Sequence, residues 1–132
     1  MGKDYAFSGL VMKAQPWDKR LLQLMGVINE QNGTSFNACL LNYYPDGANA
    51  GISQHSDDER ELGIDPVVVS VSLGDSCDFI LKNKKDCEVV SIPLKDGDVL
   101  VMGAGCQKLY THGIEKKVHK GGRISLTFRK FN

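Results

Sequence analysis

Apolar and polar positions alternate most cleanly near the end of the chain. From 123 to 129 one face reads Arg123, Ser125, Thr127 and Arg129, and the other reads Ile124, Leu126 and Phe128. That period of two predicts a strand. Shorter runs of the same kind predict strands over 4–12, 36–44, 51–57, 67–73, 78–82, 88–94, 99–102 and 109–112. They are punctuated by turn residues such as Pro45-Asp46-Gly47, Gly74, Gly97-Asp98 and Gly121-Gly122. One stretch breaks the pattern. Leu21, Leu24, Met25 and Ile28 recur at helical spacing and predict a helix over 17–30, with Pro16 in its first turn and Asn32-Gly33 as its stop. The loop over 115–122 is expected to be basic and mobile, with His119 in solvent. Many short strands and one amphipathic helix predict a mainly β fold, a jelly roll with the helix packed outside the sheet. Neither a repeat nor a linker is visible, so residues 1–132 are expected to form a single domain.

Composition narrows this only a little. A chain of 132 residues suits one core. No apolar run approaches the ~20 residues that span a bilayer, and the start lacks the apolar run of a secretory signal. Ala6 stands where a myristoylation motif carries Ser or Thr. Membrane attachment is therefore not expected. Cys39, Cys77, Cys87 and Cys106 form no C-x-x-C pair. Reduced thiols and an intracellular, reducing compartment, cytoplasm or nucleus, are the expectation. Formal net charge is zero, yet from Lys82 onward eleven Lys and Arg face five Asp and Glu. Such a tail could track a phosphate backbone. An unevenly charged solvated surface accounts for it equally well.

Candidate chemistry changes the picture more. His55 and Asp57, two apart in an extended segment, fall on one face. An imidazole and a carboxylate are two of the three ligands of the facial triad of non-haem ferrous oxygenases. A second imidazole must come from elsewhere, and His112 lies on a predicted strand. An isolated H-x-D occurs often by chance, and a lone histidine is more often structural than ligating. The combination with the closing strand carries the weight. Arginine grips carboxylates with paired donors, and an ordinary half-exposed strand does not call for two of them beside two hydroxyls. Two histidines and a carboxylate would leave three octahedral positions open, enough for a chelating 2-oxo acid and dioxygen. Tyr5 and Phe7 share a strand face. They are core residues or stacking platforms for a base.

These segments then become specific together. Asn42-Tyr43-Tyr44-Pro45-Asp46-Gly47, His55-Ser56-Asp57-Asp58-Glu59, Ser70-Val71-Ser72-Leu73-Gly74, His112-Gly113 and Arg123 through Arg129 resemble, in order, the AlkB family of Fe(II)- and 2-oxoglutarate-dependent nucleic-acid dealkylases. The resemblance runs over 5–129. It is strongest to repair members with an H-x-D-D-E sequence and extends to AlkB domains within some plant-virus polyproteins. It implies a double-stranded β-helix. It also implies that His55, Asp57 and His112 bind ferrous iron, and that Asn42, Tyr44, Arg123, Thr127 and Arg129 bind 2-oxoglutarate. Most family members carry Asn where this chain has Ser125. Tyr5 and Phe7 match lid residues flanking a flipped base, within a shortened lid over 4–15, and Asp58 matches a carboxylate that contacts the base.

The implied reaction consumes 2-oxoglutarate and O2 and releases succinate, CO2 and formaldehyde as an N-methyl group is oxidised away. N1-methyladenine and N3-methylcytosine are the implied substrates, their positive charge suited to Asp58. With four residues before Tyr5, less lid sequence is present than duplex-active members carry. A preference for methylated single-stranded RNA or DNA is therefore expected. The protein is also expected to be a monomer, and the abrupt start suggests a domain cut from something longer, such as a viral polyprotein working in host cytoplasm. Two other readings compete. One is a 2-oxoglutarate oxygenase acting on a protein or small molecule. The other is a non-enzymatic jelly-roll module.

Overall fold

A computed structural model describes residues 5–7, 10–12, 16–58 and 60–132, with side chains from Pro16 onward except those of Glu59 and Glu61. In chain order the strands and helices are β1 (Tyr5–Phe7), β2 (Leu10–Met12), α1 (Lys19–Asn32), β3 (Ala38–Tyr44), β4 (Asn49–His55), β5 (Val68–Gly74), β6 (Cys77–Asn83), β7 (Val89–Leu94), β8 (Val99–Met102), α2 (Cys106–Leu109), β9 (Tyr110–Val118) and β10 (Arg123–Arg129). A short 3₁₀ turn spans Arg60–Leu62.

From β3 onward the strands build two four-stranded sheets, ordered β3-β10-β5-β8 and β4-β9-β6-β7. Their ladders are antiparallel. Apart from the β6–β7 hairpin, successive strands fall in opposite sheets, which is the jelly roll expected from the strand pattern. The helix lies outside, as expected. Ile28 packs with Phe36, Cys39, Val69, Val71, Leu126 and Phe128, and Trp17, Leu21, Leu24 and Met25 close around them. That cluster covers the outer face of the first sheet. A second cluster, Val68, Cys77, Phe79, Leu94 and Met102, joins the two sheets.

The consequence for β10 reverses the usual rule. Its apolar residues point outward under α1, and its polar residues point inward between the sheets. Arg123, Ser125, Thr127 and Arg129 are all nearly inaccessible, Arg123 at 1 % exposure. Charged groups buried to this degree are rare unless paired or serving a ligand.

Several sequence expectations need correction. The strand expected over 4–12 is two short strands paired antiparallel, Tyr5 opposite Met12. Ser8 and Gly9 between them are residue types that turns favour, and they lie outside the described residues. The helix begins later than Pro16 suggested, because Asp18 caps it by accepting from the Arg20 N–H at 2.8 Å. Its end at Gly33, in the left-handed region at φ 63, is as expected. Half of the expected loop is strand: β9 continues to Val118. His119 is not in solvent but fully buried, its Nε2 3.2 Å from the Ala50 carbonyl and its Nδ1 3.5 Å from Asp75 Oδ2. Flanking lysines suggested a solvated loop, but His119 turns inward while its neighbours Val118 and Lys120 face out. Among the described residues no helix is long and apolar enough to cross a membrane.

Candidate metal centre and anion pocket

His55 ends β4 and lies directly opposite His112 on β9. The register slips twice along β4, between Ala50 and Ile52 and between Ile52 and His55. Such bulges re-aim side chains. Here they leave the two imidazoles tilted at 55° with centroids 4.4 Å apart. Gly113 makes the approach possible, since a Cβ there would lie 2.6 Å from the Ile52 carbonyl oxygen. Asp57 follows in the loop beyond the strand. Its Oδ1 is 3.4 Å from His55 Nε2 and 3.7 Å from His112 Nε2. Ligand atoms of the three residues lie within 4.8 Å of one another.

Electrostatics prepare all three side chains. Burial alone would raise the Asp57 carboxyl. The contact with His55 and the charges of Arg129 and His112 more than offset it and hold it at about 2, so it is a carboxylate at neutral pH. Burial pushes His112 down to about 4, against the pull of Asp57, so its imidazole is neutral and able to ligate. His112 stacks on Phe79 with centroids 5.5 Å apart. The contact with Asp57 raises His55, against desolvation. The His55 ring is oriented by Nδ1, which donates to the Ser53 carbonyl at 2.9 Å and leaves Nε2 toward Asp57. Asp57 Oδ1 has no hydrogen-bond partner among the described residues, nor has His112 Nδ1. A buried carboxylate oxygen facing two imidazoles without a hydrogen bond fits a divalent metal.

Beside this triad a cavity of about 360 Å³ opens between the sheets. Asn42, Ser70, Arg123, Ser125, Thr127 and Arg129 form its polar wall, and Ile52, Phe79, Leu94, Met102 and Ile114 its apolar one. At one end Arg123 donates through NH2 to Ser72 Oγ at 3.0 Å and lies over the Tyr44 ring, 5.1 Å from its centroid. Arg123 Nε and NH1 and the Tyr44 hydroxyl have no hydrogen-bond partner among the described residues. Burial raises the Tyr44 phenol, with Arg123 opposing, so the hydroxyl keeps its proton. Buried guanidinium donors left unused on a cavity wall suit a carboxylate. Arg129 gives Nε and NH2 to Asp57 Oδ2, both at 3.0 Å.

The three expected metal ligands cluster together, and of the expected co-substrate residues Asn42, Arg123, Thr127 and Arg129 line the cavity beside them, with Tyr44 packed against Arg123. Asp58 is exposed, next in sequence to the triad. The side chains of Tyr5 and Phe7 lie outside the described part of the structure. Sequence reasoning missed Ser72, which holds Arg123; His119, whose ring packs 4.9 Å from that of Tyr44; and Gln107, whose Oε1 accepts from the Asp57 N–H at 2.8 Å. The period-two pattern did place Ser72 on the same face as Ser70. Gln107 gives no signal, because its segment reads as loop.

Comparison with known proteins agrees with this geometry. A family model described as the 2OG-Fe(II) oxygenase superfamily matches residues 2–129. The chain is 35% identical over 139 aligned positions to the DNA oxidative demethylase ALKBH2 of Homo sapiens, covering 98% of this chain and 52% of that one. It is 35% identical over 136 positions to the alpha-ketoglutarate-dependent dioxygenase alkB homolog 3 of Bos taurus, covering 95% and 47%. The chain thus spans about half the length of these curated relatives. Among solved structures, that of OsALKBH1 superposes with a TM-score of 0.61 at 24% identity, over 91% of this chain and 68% of that one. This last likeness concerns the fold.

Proposed function

The chain belongs to the 2OG-Fe(II) oxygenase superfamily, as an AlkB-like member, and from that premise we propose that it oxidatively demethylates N-alkylated bases in nucleic acid. One observation carries the reading: both imidazoles of the triad and Arg123, whose Nε and NH1 have no hydrogen-bond partner among the described residues, line the same cavity, so metal and dicarboxylate would meet there. His55, Asp57 and His112 would hold ferrous iron. When bound, iron supplies the oxidative chemistry, in which 2-oxoglutarate and O2 yield succinate and CO2 and the substrate methyl leaves as formaldehyde.

The chain's own residues bind, orient and shield. Arg123, braced by Ser72, grips one carboxylate of 2-oxoglutarate with Tyr44, and Asn42 and Thr127 line its path. Arg129 is the second cationic grip, shared with Asp57. The apolar wall of Ile52, Phe79 and Leu94 excludes water. Asp58 presents a carboxylate to a cationic N1-methyladenine or N3-methylcytosine, and the segment 4–15, with Tyr5 and Phe7, forms the lid over the base. Single-stranded RNA or DNA is the preferred substrate, since extracting a base from a duplex costs a few kcal/mol. The protein acts as a monomer in a reducing compartment, in keeping with four cysteines that form no disulfide.

The test is formaldehyde release and mass change on oligonucleotides bearing one methylated base, as single-stranded RNA, single-stranded DNA and duplex. Release requiring Fe(II) and 2-oxoglutarate, and abolished by His112→Ala, is expected. Succinate formation indifferent to every methylated oligonucleotide would instead indicate an oxygenase of proteins or small molecules. Equal rates on duplex and single strand would sink the strand preference alone.

A further inference from the structure

Asp57 is 1 % exposed and lies beyond the end of β4, where no ladder holds its backbone. It is held instead by α2 and the start of β9. Ser56 Oγ donates to the Tyr110 carbonyl at 2.7 Å, and the Asp57 N–H donates to Gln107 Oε1 at 2.8 Å. Gln107 is itself 3 % exposed, and its Nε2 donates to Met102 Sδ at 3.6 Å. The short helix that carries it is tied down on several sides. Asp65 Oδ1 accepts from the Gly105 N–H at 2.7 Å, Lys84 Nζ donates to the Gln107 carbonyl at 2.8 Å, and the Lys84 N–H donates to the Leu109 carbonyl at 2.9 Å.

A buried glutamine is uncommon and needs its polar atoms used. Packing does not explain this one, because a leucine would fill similar space beside Met102. What leucine lacks is the acceptor for Asp57. The carboxylate is already fixed at its far oxygen, where Arg129 donates twice to Oδ2. Only the backbone end of the residue remained to be set.

We infer that Gln107 is a positioning residue for the metal centre: it anchors the Asp57 backbone while Arg129 anchors Oδ2, so that Oδ1 faces both imidazoles before any metal arrives. A ligand preorganised in this way binds metal without first ordering its loop. The inference rests on the reading of His55, Asp57 and His112 as metal ligands.

The experiment is anaerobic titration of the metal-free full chain with Co(II), followed by visible absorption and calorimetry, with thermal melts to verify folding. Gln107→Leu is expected to weaken Co(II) binding about 10- to 100-fold and to alter the absorption envelope. Gln107→Glu keeps an acceptor oxygen and is expected to restore both to near wild type. Leucine and wild-type proteins with the same affinity and spectrum would overturn the inference, as would a glutamate variant as impaired as the leucine one. Should the leucine variant not fold, hydrogen exchange in metal-free wild type decides: the Asp57 amide is expected to be protected, and exchange at open-loop rates overturns the proposal. A wild-type signal unchanged by His112→Ala would bring down the metal reading itself, which none of the Gln107 outcomes does.

Discussion

At the scale of single residues, the candidate ligand set was legible because its chemistry is scarce: three histidines in the chain, one of them two places from an aspartate. What supports the ligands was not legible. Ser72, Gln107 and His119 act through hydrogen bonds to residues 51, 50 and 69 positions away, a distance no local pattern reports. Arg123 is the residue whose removal should be most specific. Arg123→Met keeps the bulk and removes the charge-assisted bonds, so the KM for 2-oxoglutarate should rise about tenfold to hundredfold. Co(II) affinity at the triad should hardly change. Succinate formation against 2-oxoglutarate concentration measures this, and a KM within twofold of wild type would remove Arg123 from the anion pocket. Thiols offer an independent check on burial. Burial pushes the Cys39 thiol up to about 11, whereas Cys87 is exposed in a turn. Iodoacetamide at pH 8 should label Cys87 within minutes and leave Cys39 unmodified until denaturant is added, as read by peptide mass.

At the scale of elements, the β4–β9 pair decides whether the site exists. Its two bulges and the missing side chain at Gly113 let the strands approach where His55 and His112 face each other. Gly113→Ala would place a methyl 2.6 Å from the Ile52 carbonyl oxygen and 2.7 Å from Gln54 Nε2. The backbone contact cannot yield as a side chain would. The substitution should destabilise the fold by ~1–3 kcal/mol, as overpacking does, and weaken metal binding beyond what stability explains. Urea melts together with Co(II) titration would show it, and wild-type values in both would refute the close approach. Alternation along β10 told which residues share a face but not which way each face points. A buried polar face becomes evident only when α1 is seen to cover the apolar side.

At the scale of the whole molecule, the strand count and turns were enough to indicate the architecture, whereas β9 was underestimated because Lys116 and Lys117 lie on its exposed part. Beyond it, Asp75 fastens the β5–β6 turn to this region. Its Oδ2 accepts from the Lys120 N–H and pairs with Lys117 Nζ, each at 3.0 Å. The Lys120 amide, followed by the Lys117 ammonium, lowers the carboxyl to about 2 from an ordinary 3.8. A carboxyl lowered by folding stabilises the fold above its unfolded value and loses that contribution as pH falls through the folded one. Asp75→Asn should therefore melt lower than wild type at pH 7, and the gap should close between pH 4 and pH 2. Thermal midpoints across that range test it, and a gap independent of pH would contradict the pairing. One feature of the fold also governs how the protein is made. β10 sits in the middle of its sheet, between β3 and β5, yet it follows both of them in sequence by many residues. On a ribosome, β3 and β5 emerge without the partner that joins them, and the cluster under α1 lacks Leu126 and Phe128 until β10 follows. Folding of this sheet must wait for non-local pairing, which makes it slow and leaves strand edges open to other chains meanwhile. The same delay keeps Arg123 and Arg129 from the pocket until β10 joins its sheet.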